Sequence, residues 1–234
     1  MYSFPCSEEA RRRGSPRPFT LAFLWGLGIM SGTDDALFRA IENMQKGSKK
    51  PWGRFLDAGT GTHSLKWIHT LDTESFTAVT ADARFAETTR KEARIGFDVK
   101  SPDEIVMGNW RDDGFLKGRT FNTILADYLI GAMDGFAPYY QDQVFDRLKR
   151  HLKPEGRLYL VGMQPLPDHP GGAAELVCEA ARLRDACILL AGHRMYREYP
   201  LDWIVRQLER SGFAVTSAQK MPIIYTPRTV KRQV

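Results

Sequence analysis

Cysteine is scarce in this chain. Three occur, Cys6, Cys178 and Cys187, odd in number and far apart. They supply neither a disulfide framework nor the spacing of a zinc site, so a reducing compartment and no metal are expected, with each thiol a buried structural side chain. Long apolar runs are also missing. The best candidate, FTLAFLWGLGIM (19–30), has twelve residues, whereas a spanning helix needs about 20. Internal repeats and low-complexity tracts are absent too. A basic face on the body of the chain is the last absence. The net charge is +5, but residues 1–50 carry +3, residues 219–234 carry +4, and the stretch between them is −2. An enzyme that grips a duplex carries its positive charge on the folded body. This distribution argues against nucleic acid and for a small-molecule partner. Oligomeric state is not legible.

What is present is ordinary globular material: 234 residues, 43% hydrophobic and 26% charged, enough for one domain with an appendage. The appendage is residues 1–32, where RRRGSPRP (11–18) precedes the apolar stretch 19–30. Basic followed by apolar reads as a targeting segment. It reads equally as an arm whose apolar part packs on the domain. No clean small-x-small cleavage site follows. A soluble, intracellular protein is expected, cytoplasmic or organellar.

From residue 33 the chain alternates helix-like and strand-like segments. Thr33 can cap a helix to about Met44, with Asp34 and Asp35 in its first turn, where the macrodipole favours acids. Strands are predicted at 54–58, 75–82, 104–110, 120–127 and 157–162, and helices at 64–71, 83–96, 139–152, 171–192 and 200–212. KPEG (153–156) is a turn. FAVTSAQ (213–219) and PIIYT (222–226) are strands too close together for a crossover, so they are expected to form an antiparallel hairpin. Five β-α alternations imply a parallel sheet with helices on both faces.

The first strand ends in a loop, FLDAGTGTHSLK (55–66). In a doubly wound sheet, ligands bind beyond the carboxyl ends of the strands. Gly59 and Gly61 let the backbone turn sharply and approach a ligand closely. A dinucleotide loop would read G-x-G-x-x-G. Here the third glycine is replaced by Ser64.

With its order Asp57, Gly59, Gly61, this stretch resembles the first motif of the class I S-adenosylmethionine-dependent methyltransferases, D-x-G-x-G-x-G, except that His63 stands at the last glycine. AVTAD, ending at Asp82, resembles the second motif, MGNW the third, and TILADYLIG the fourth. LKPEGRLYLVG is similar to the segment that comes after the motifs. The resemblance covers roughly residues 50–226. It implies an α/β fold with a Rossmann-like, doubly wound, mostly parallel seven-stranded sheet, helices on both faces and the C-terminal antiparallel hairpin, in a domain at 33–234. The implied cofactor is S-adenosylmethionine and the implied reaction in-line methyl transfer to nitrogen, oxygen or sulfur.

The resemblance also assigns roles. Ala58, Gly59, Thr60 and Gly61 would receive the amino-acid tail of the cofactor through their backbone. Asp57 would neutralise its amino or sulfonium end. Asp82, with Ala83 after it, would receive the ribose hydroxyls. Asn109 stands where the family usually has an aspartate for the adenine amine, and its amide oxygen can accept that proton. Trp110 could stack on the adenine. His63 has two readings, a loop residue at the helix start or a base at the mouth of the site.

The fourth motif faces the methyl acceptor in this family, which points to Asp127, at the end of its strand, and to Tyr128. It lacks the two prolines of the [DN]-P-P-[FY] amino methyltransferases and the Pro-Cys of the cytosine enzymes. Met133, Tyr139 and Tyr140 complete an acid-plus-aromatic set suited to a cationic or aromatic small molecule; the two tyrosines could equally pack under the sheet. His193 and Tyr196 lie in HRMYREYP (193–200), a region that often belongs to the substrate lid in this family. A non-catalytic methyltransferase-like partner subunit, and a methyltransferase acting on RNA or protein, are the alternatives.

Overall fold

The computed structural model describes residues 17–24, 36–88 and 103–221. The strands are β1 (Arg17–Leu24), β2 (Arg54–Asp57), β3 (Ser75–Thr80), β4 (Glu104–Met107), β5 (Phe121–Asp127), β6 (Leu152–Val161) and β7 (Phe213–Met221). The helices are α1 (Ala36–Gly47), α2 (Thr62–Ile68), α3 (Leu129–Phe136), α4 (Val144–His151), α5 (Gly172–Leu190) and α6 (Leu201–Arg210). Residues 83–88 are also helical.

The strands form one sheet in the order β4-β3-β2-β5-β6-β1-β7. Every pairing among them is parallel. This is the Rossmann-like, doubly wound α/β sheet. Its central strands are apolar on both faces, as burial on both sides requires. Alternate residues serve opposite cores. Leu56, Ile124, Leu158 and Leu160 face the layer of α3, α4 and α6, with Ile130, Phe145, Leu148 and Leu208. Phe55, Leu125 and Tyr159 face α1 and α2, with Phe38, Ile41, Leu65 and Trp67. The Tyr159 hydroxyl, buried in that second layer, donates to Gln45 Oε1 at 2.6 Å, so its polar end is satisfied.

The edge beyond β6 differs from the sequence expectation. The slot between β6 and β7 is filled by β1, with Thr20 opposite Tyr159 and Phe19 opposite Val215. Part of the segment read as an arm thus completes a hydrogen-bond ladder. β7, expected as the first strand of a hairpin, runs parallel to β1. The other half of that hairpin, 222–226, lies outside the described residues, as do Thr33, Asp34, Asp35 and residues 89–96.

Two local differences have physical causes. The helix expected at 139–152 begins only at Val144, because Tyr139 takes the left-handed conformation (φ 65°), which an α-helix does not tolerate. The KPEG turn sits inside β6: Phe121 pairs with Leu152 but Thr123 with Arg157, so residues 153–156 bulge out of the ladder.

Candidate active site

Because β2, β3, β4 and β5 run parallel, their carboxyl ends lie along one edge of the sheet. That edge receives Asp57 from β2, Asp82 two residues beyond β3, Asn109 two beyond β4, and Asp127 from β5. The 57–61 loop then turns into α2. Its shape is fixed from behind. The Asp57 carboxylate is fully buried and its Oδ2 accepts the Ser64 hydroxyl at 2.7 Å. Ser64 Oγ in turn accepts the Gly61 N–H at 3.0 Å, the reach-back of a third helical residue to the cap. Burial pushes the Asp57 pKa up to about 6, against the pull of Ser64, Thr60 and the Gly59 amide. The Ala58 N–H donates to Leu125 O at 2.8 Å, and Thr60 N–H to Val79 O at 2.7 Å. Trp110 Nε1 donates to Ala58 O at 2.7 Å.

In front of the loop lies a cavity of about 350 Å³, within the usual range for small-ligand sites of about 300–1,000 Å³. Ala58, Gly59, Thr60, Gly61, Asp82, Asn109, Trp110, Asp127, Tyr128 and Met133 line it. Among the described residues its lining has two acids and no lysine, arginine or histidine. A Cβ on Gly61 would meet nothing within 4 Å, and one on Gly59 would touch Leu129 Cδ1 at 3.0 Å. Gly61 therefore faces open space that a side chain would fill. The amides of Ala58, Thr60 and Gly61 are engaged within the chain, so the loop is not a diphosphate cradle, which needs free N–H groups. The acidic, glycine-walled surface that the described residues give this cavity fits a cationic nucleoside-like ligand and disfavours a dinucleotide.

A second cavity, about 1110 Å³, adjoins the first. Asp127, Tyr128 and Tyr196 line both. Its walls come from α1 (Leu37, Phe38), α2 (His63), the 163–168 loop, α5 and the 194–199 segment. Tyr128 is held at φ 51° as the residue before α3, and its N–H donates to Val161 O at 3.0 Å. A bulky residue in the left-handed region is strained and persists where its surroundings fix it. Here it sets an aromatic ring at the junction of the cavities.

The remaining sequence candidates divide. His63 lines the larger cavity, with its ring 5.0 Å from that of Phe38, and not the smaller one. Asp82 is exposed and caps the 83–88 helix, with Oδ1 accepting Arg84 N at 2.8 Å and Phe85 N at 3.2 Å. Asn109 bonds at both ends of its amide, donating from Nδ2 to Phe136 O at 2.7 Å and accepting Arg111 N at 3.0 Å. It thus ties the β4 end to the end of α3. Trp110 is buried edge-on to Phe115, presenting the cavity with a fixed wall. Met133, expected at the acceptor, lines the smaller cavity and not the larger.

Several candidates are not brought to the site. Asp57 stands behind the loop and Ala83 starts the helix; neither lines a cavity. Tyr139 is 78% exposed under Arg194, because its left-handed backbone turns it outward. Tyr140 packs on the α3/α4 core, and His193 is exposed just past α5. Conversely, sequence reading passed over Ser64, Leu129, Phe85 and Glu198. Ser64 was legible as the polar residue at the missing glycine. Glu198 sits in the HRMYREYP stretch, where charge alone gave no sign of its burial.

A family model described as a methyltransferase domain matches residues 32–218. A search of curated proteins finds no match. Among solved structures, the YcgJ protein from Bacillus subtilis superposes with a TM-score of 0.59 at 21% identity, covering 83% of this chain and 77% of that one. The mycolic acid cyclopropane synthase CmaA1, solved with SAH and CTAB, gives 0.52 at 16% identity, covering 82% of this chain and 67% of that one. An O-methyltransferase family protein from Burkholderia thailandensis gives 0.52 at 16% identity, covering 77% of this chain and 53% of that one. At such identities the likeness establishes the fold alone.

Proposed function

Since the chain belongs to the class I S-adenosylmethionine-dependent methyltransferase family, we propose that it methylates a small molecule held in the larger cavity, with the cofactor in the smaller one. The observation that carries this reading is the junction: two cavities of unequal size and different lining meet at Asp127, Tyr128 and Tyr196. A reaction between two bound partners needs such a meeting point.

When bound, the cofactor supplies an already activated methyl group on a positively charged sulfur. The residues around it have correspondingly modest tasks. In this reading Asp82, which lines the smaller cavity, accepts ribose hydroxyl protons, and bonds to a charged acceptor contribute about 1.5–3 kcal/mol each. Trp110 and Phe85 offer flat apolar walls to a base. The acids Asp82 and Asp127, with Asp57 behind the loop, make the cavity attractive to a cation. Asp127 and Tyr128 orient the acceptor at the junction, and Tyr196 covers it. Alignment of the two reactants accounts for about 7–11 kcal/mol of barrier lowering in favourable cases.

The acceptor class is tested with methyl-labelled cofactor, the purified protein and a cell extract divided by size into small molecules, RNA and protein. Label entering the small-molecule fraction supports the reading. Label in RNA or protein alone overturns it in favour of a macromolecular acceptor. Tight binding of the cofactor with no labelled fraction points to the partner-subunit reading.

A further inference from the structure

Glu198 lines the larger cavity and is held there by its neighbours. Its role depends on the proposal that this cavity takes the methyl acceptor. The 194–199 segment has no regular structure and is tied down at defined points. Arg197 N–H donates to Gly131 O at 3.2 Å, and Arg194 Nε to Asp134 O at 3.0 Å. Glu198 Oε2 accepts the Met163 N–H at 3.3 Å. Its Oε1 lies over Gly131 so closely that a Cβ there would come within 2.4 Å. The glycine at 131 is what gives the carboxylate its place between α3 and the end of β6.

Four arginines line the same cavity, yet each has another carboxylate partner. Arg182 lies 3.6 Å from Glu175, and Arg184 lies 2.8 Å from Asp185. Arg194 and Arg197 both turn to Asp134, at 3.5 and 3.9 Å. Among the described residues Glu198 makes no ion pair. The other titratable groups among the described residues lining this cavity are His63 from α2, Asp127 from β5, Tyr128 before α3, Asp168 from the loop after β6, Cys178 and Asp185 from α5, and Tyr196 and Tyr199 from the 194–199 segment. Around them the wall is largely apolar, with Phe38, Pro165, Leu166 and Ile188. An arginine beside a partly buried carboxylate lowers its affinity for a proton, and none of these four pairs with Glu198.

We propose that Glu198 is the proton acceptor for methyl transfer and that the acceptor molecule is a largely apolar compound bearing a hydroxyl or amine that gives up a proton. As the acceptor oxygen or nitrogen bonds to the methyl carbon, its proton passes to the Glu198 carboxylate. The carbon–sulfur bond breaks and its electron pair stays on sulfur. The products are the methylated compound, the uncharged thioether and a protonated Glu198, which returns the proton to water. Burial holds the Glu198 pKa up at about 7, against the Met163 N–H, which suits a base that works near neutrality. An acceptor already anionic, such as a carboxylate, needs no base.

The test uses the full chain with S-adenosylhomocysteine added to fill the cofactor cavity. Its binding is measured first by calorimetry; absence of binding refutes the cofactor reading itself, independently of Glu198. The complex is then titrated with 2-naphthol and with 2-methoxynaphthalene, in which a methyl group replaces the proton Glu198 would accept. At pH 8 the wild type is expected to bind the naphthol about tenfold or more tighter than the ether, as for a bond to a charged acceptor. The preference should shrink at pH 6 and vanish in Glu198→Gln, with cofactor-product affinity unchanged. Equal affinities in the wild type, binding of neither probe, or a preference that survives Glu198→Gln overturns the proposal. If that variant does not fold, Gly131→Ala, which displaces the carboxylate, is read in the same way.

Discussion

Replacing Asp57 by asparagine removes a charge from a fully buried site while keeping its shape. The folded-state pKa of Asp57 is raised from 3.8 to about 6, so the folded form holds the proton more tightly than the unfolded chain does. Between those two values the folded state binds more protons, and stability falls as pH rises. The loss begins near pH 4 and is complete a little above pH 6. A shift of this size corresponds to about 3 kcal/mol. Asparagine cannot titrate, and its side-chain oxygen can still accept the Ser64 hydroxyl. The difference in unfolding free energy, variant minus wild type, should therefore rise by about 2–3 kcal/mol from pH 4 to pH 7.5. Other titrating groups are common to both proteins and cancel in that difference. Urea denaturation of both proteins across the pH series measures it. A difference that stays flat with pH, or moves the other way, would refute the account of a desolvated carboxylate behind the loop. The same substitution should weaken S-adenosylmethionine binding, since it lowers the negative potential of a cavity whose acids among the described lining residues are Asp82 and Asp127. A site that gains stability and loses ligand affinity from one change is a stability–function compromise.

Other substitutions separate frame from ligand contact. Asp82→Ala should remove about 1 kcal/mol of stability through the lost cap and lower cofactor affinity by about tenfold or more; calorimetry showing unchanged affinity would sink the ribose assignment. Trp110→Phe leaves the buried Ala58 carbonyl without its 2.7 Å donor and should destabilise by about 1–3 kcal/mol in thermal or urea melts. Arg147 is 3% exposed and donates to the carbonyls of Asp112 and Phe115 at 2.6 and 2.8 Å. Arg147→Met should cost about 3 kcal/mol, read in the same melts, with cofactor affinity retained if the protein is measured below its transition. Asp127→Asn should reduce turnover more than cofactor binding once an acceptor is in hand, and equal turnover would remove it from the chemistry.

The strand-to-helix alternation, the acids at the ends of β2, β3 and β5, and the glycine loop were all legible in the sequence, because each rests on short-range rules. A buried parallel strand needs a continuous apolar run, and its last residue is thereby fixed at the ligand edge. The fold class and the cofactor side came from that. α3 was not legible: it starts from Tyr128 in a left-handed conformation, with no side-chain cap, and Gly131 and Gly135 depress its helix propensity. The place of β1 was not legible either, since a strand-like run does not say which edge will accept its hydrogen bonds. Nor could local rules tell that Tyr139 and His193 face solvent while Glu198, in an equally charged stretch, is half-buried.

The sequence by itself determined the fold class and which strand ends carry Asp82, Asn109, Asp127 and the glycine loop, because strand periodicity and loop composition are local. Tertiary structure alone decided which side chains share the second cavity. That cavity is made from segments as distant as α1, the loop after β6, and α5. Which arginine pairs with which acid there, and that Glu198 pairs with none among the described residues, depends on packing between elements that no local pattern encodes.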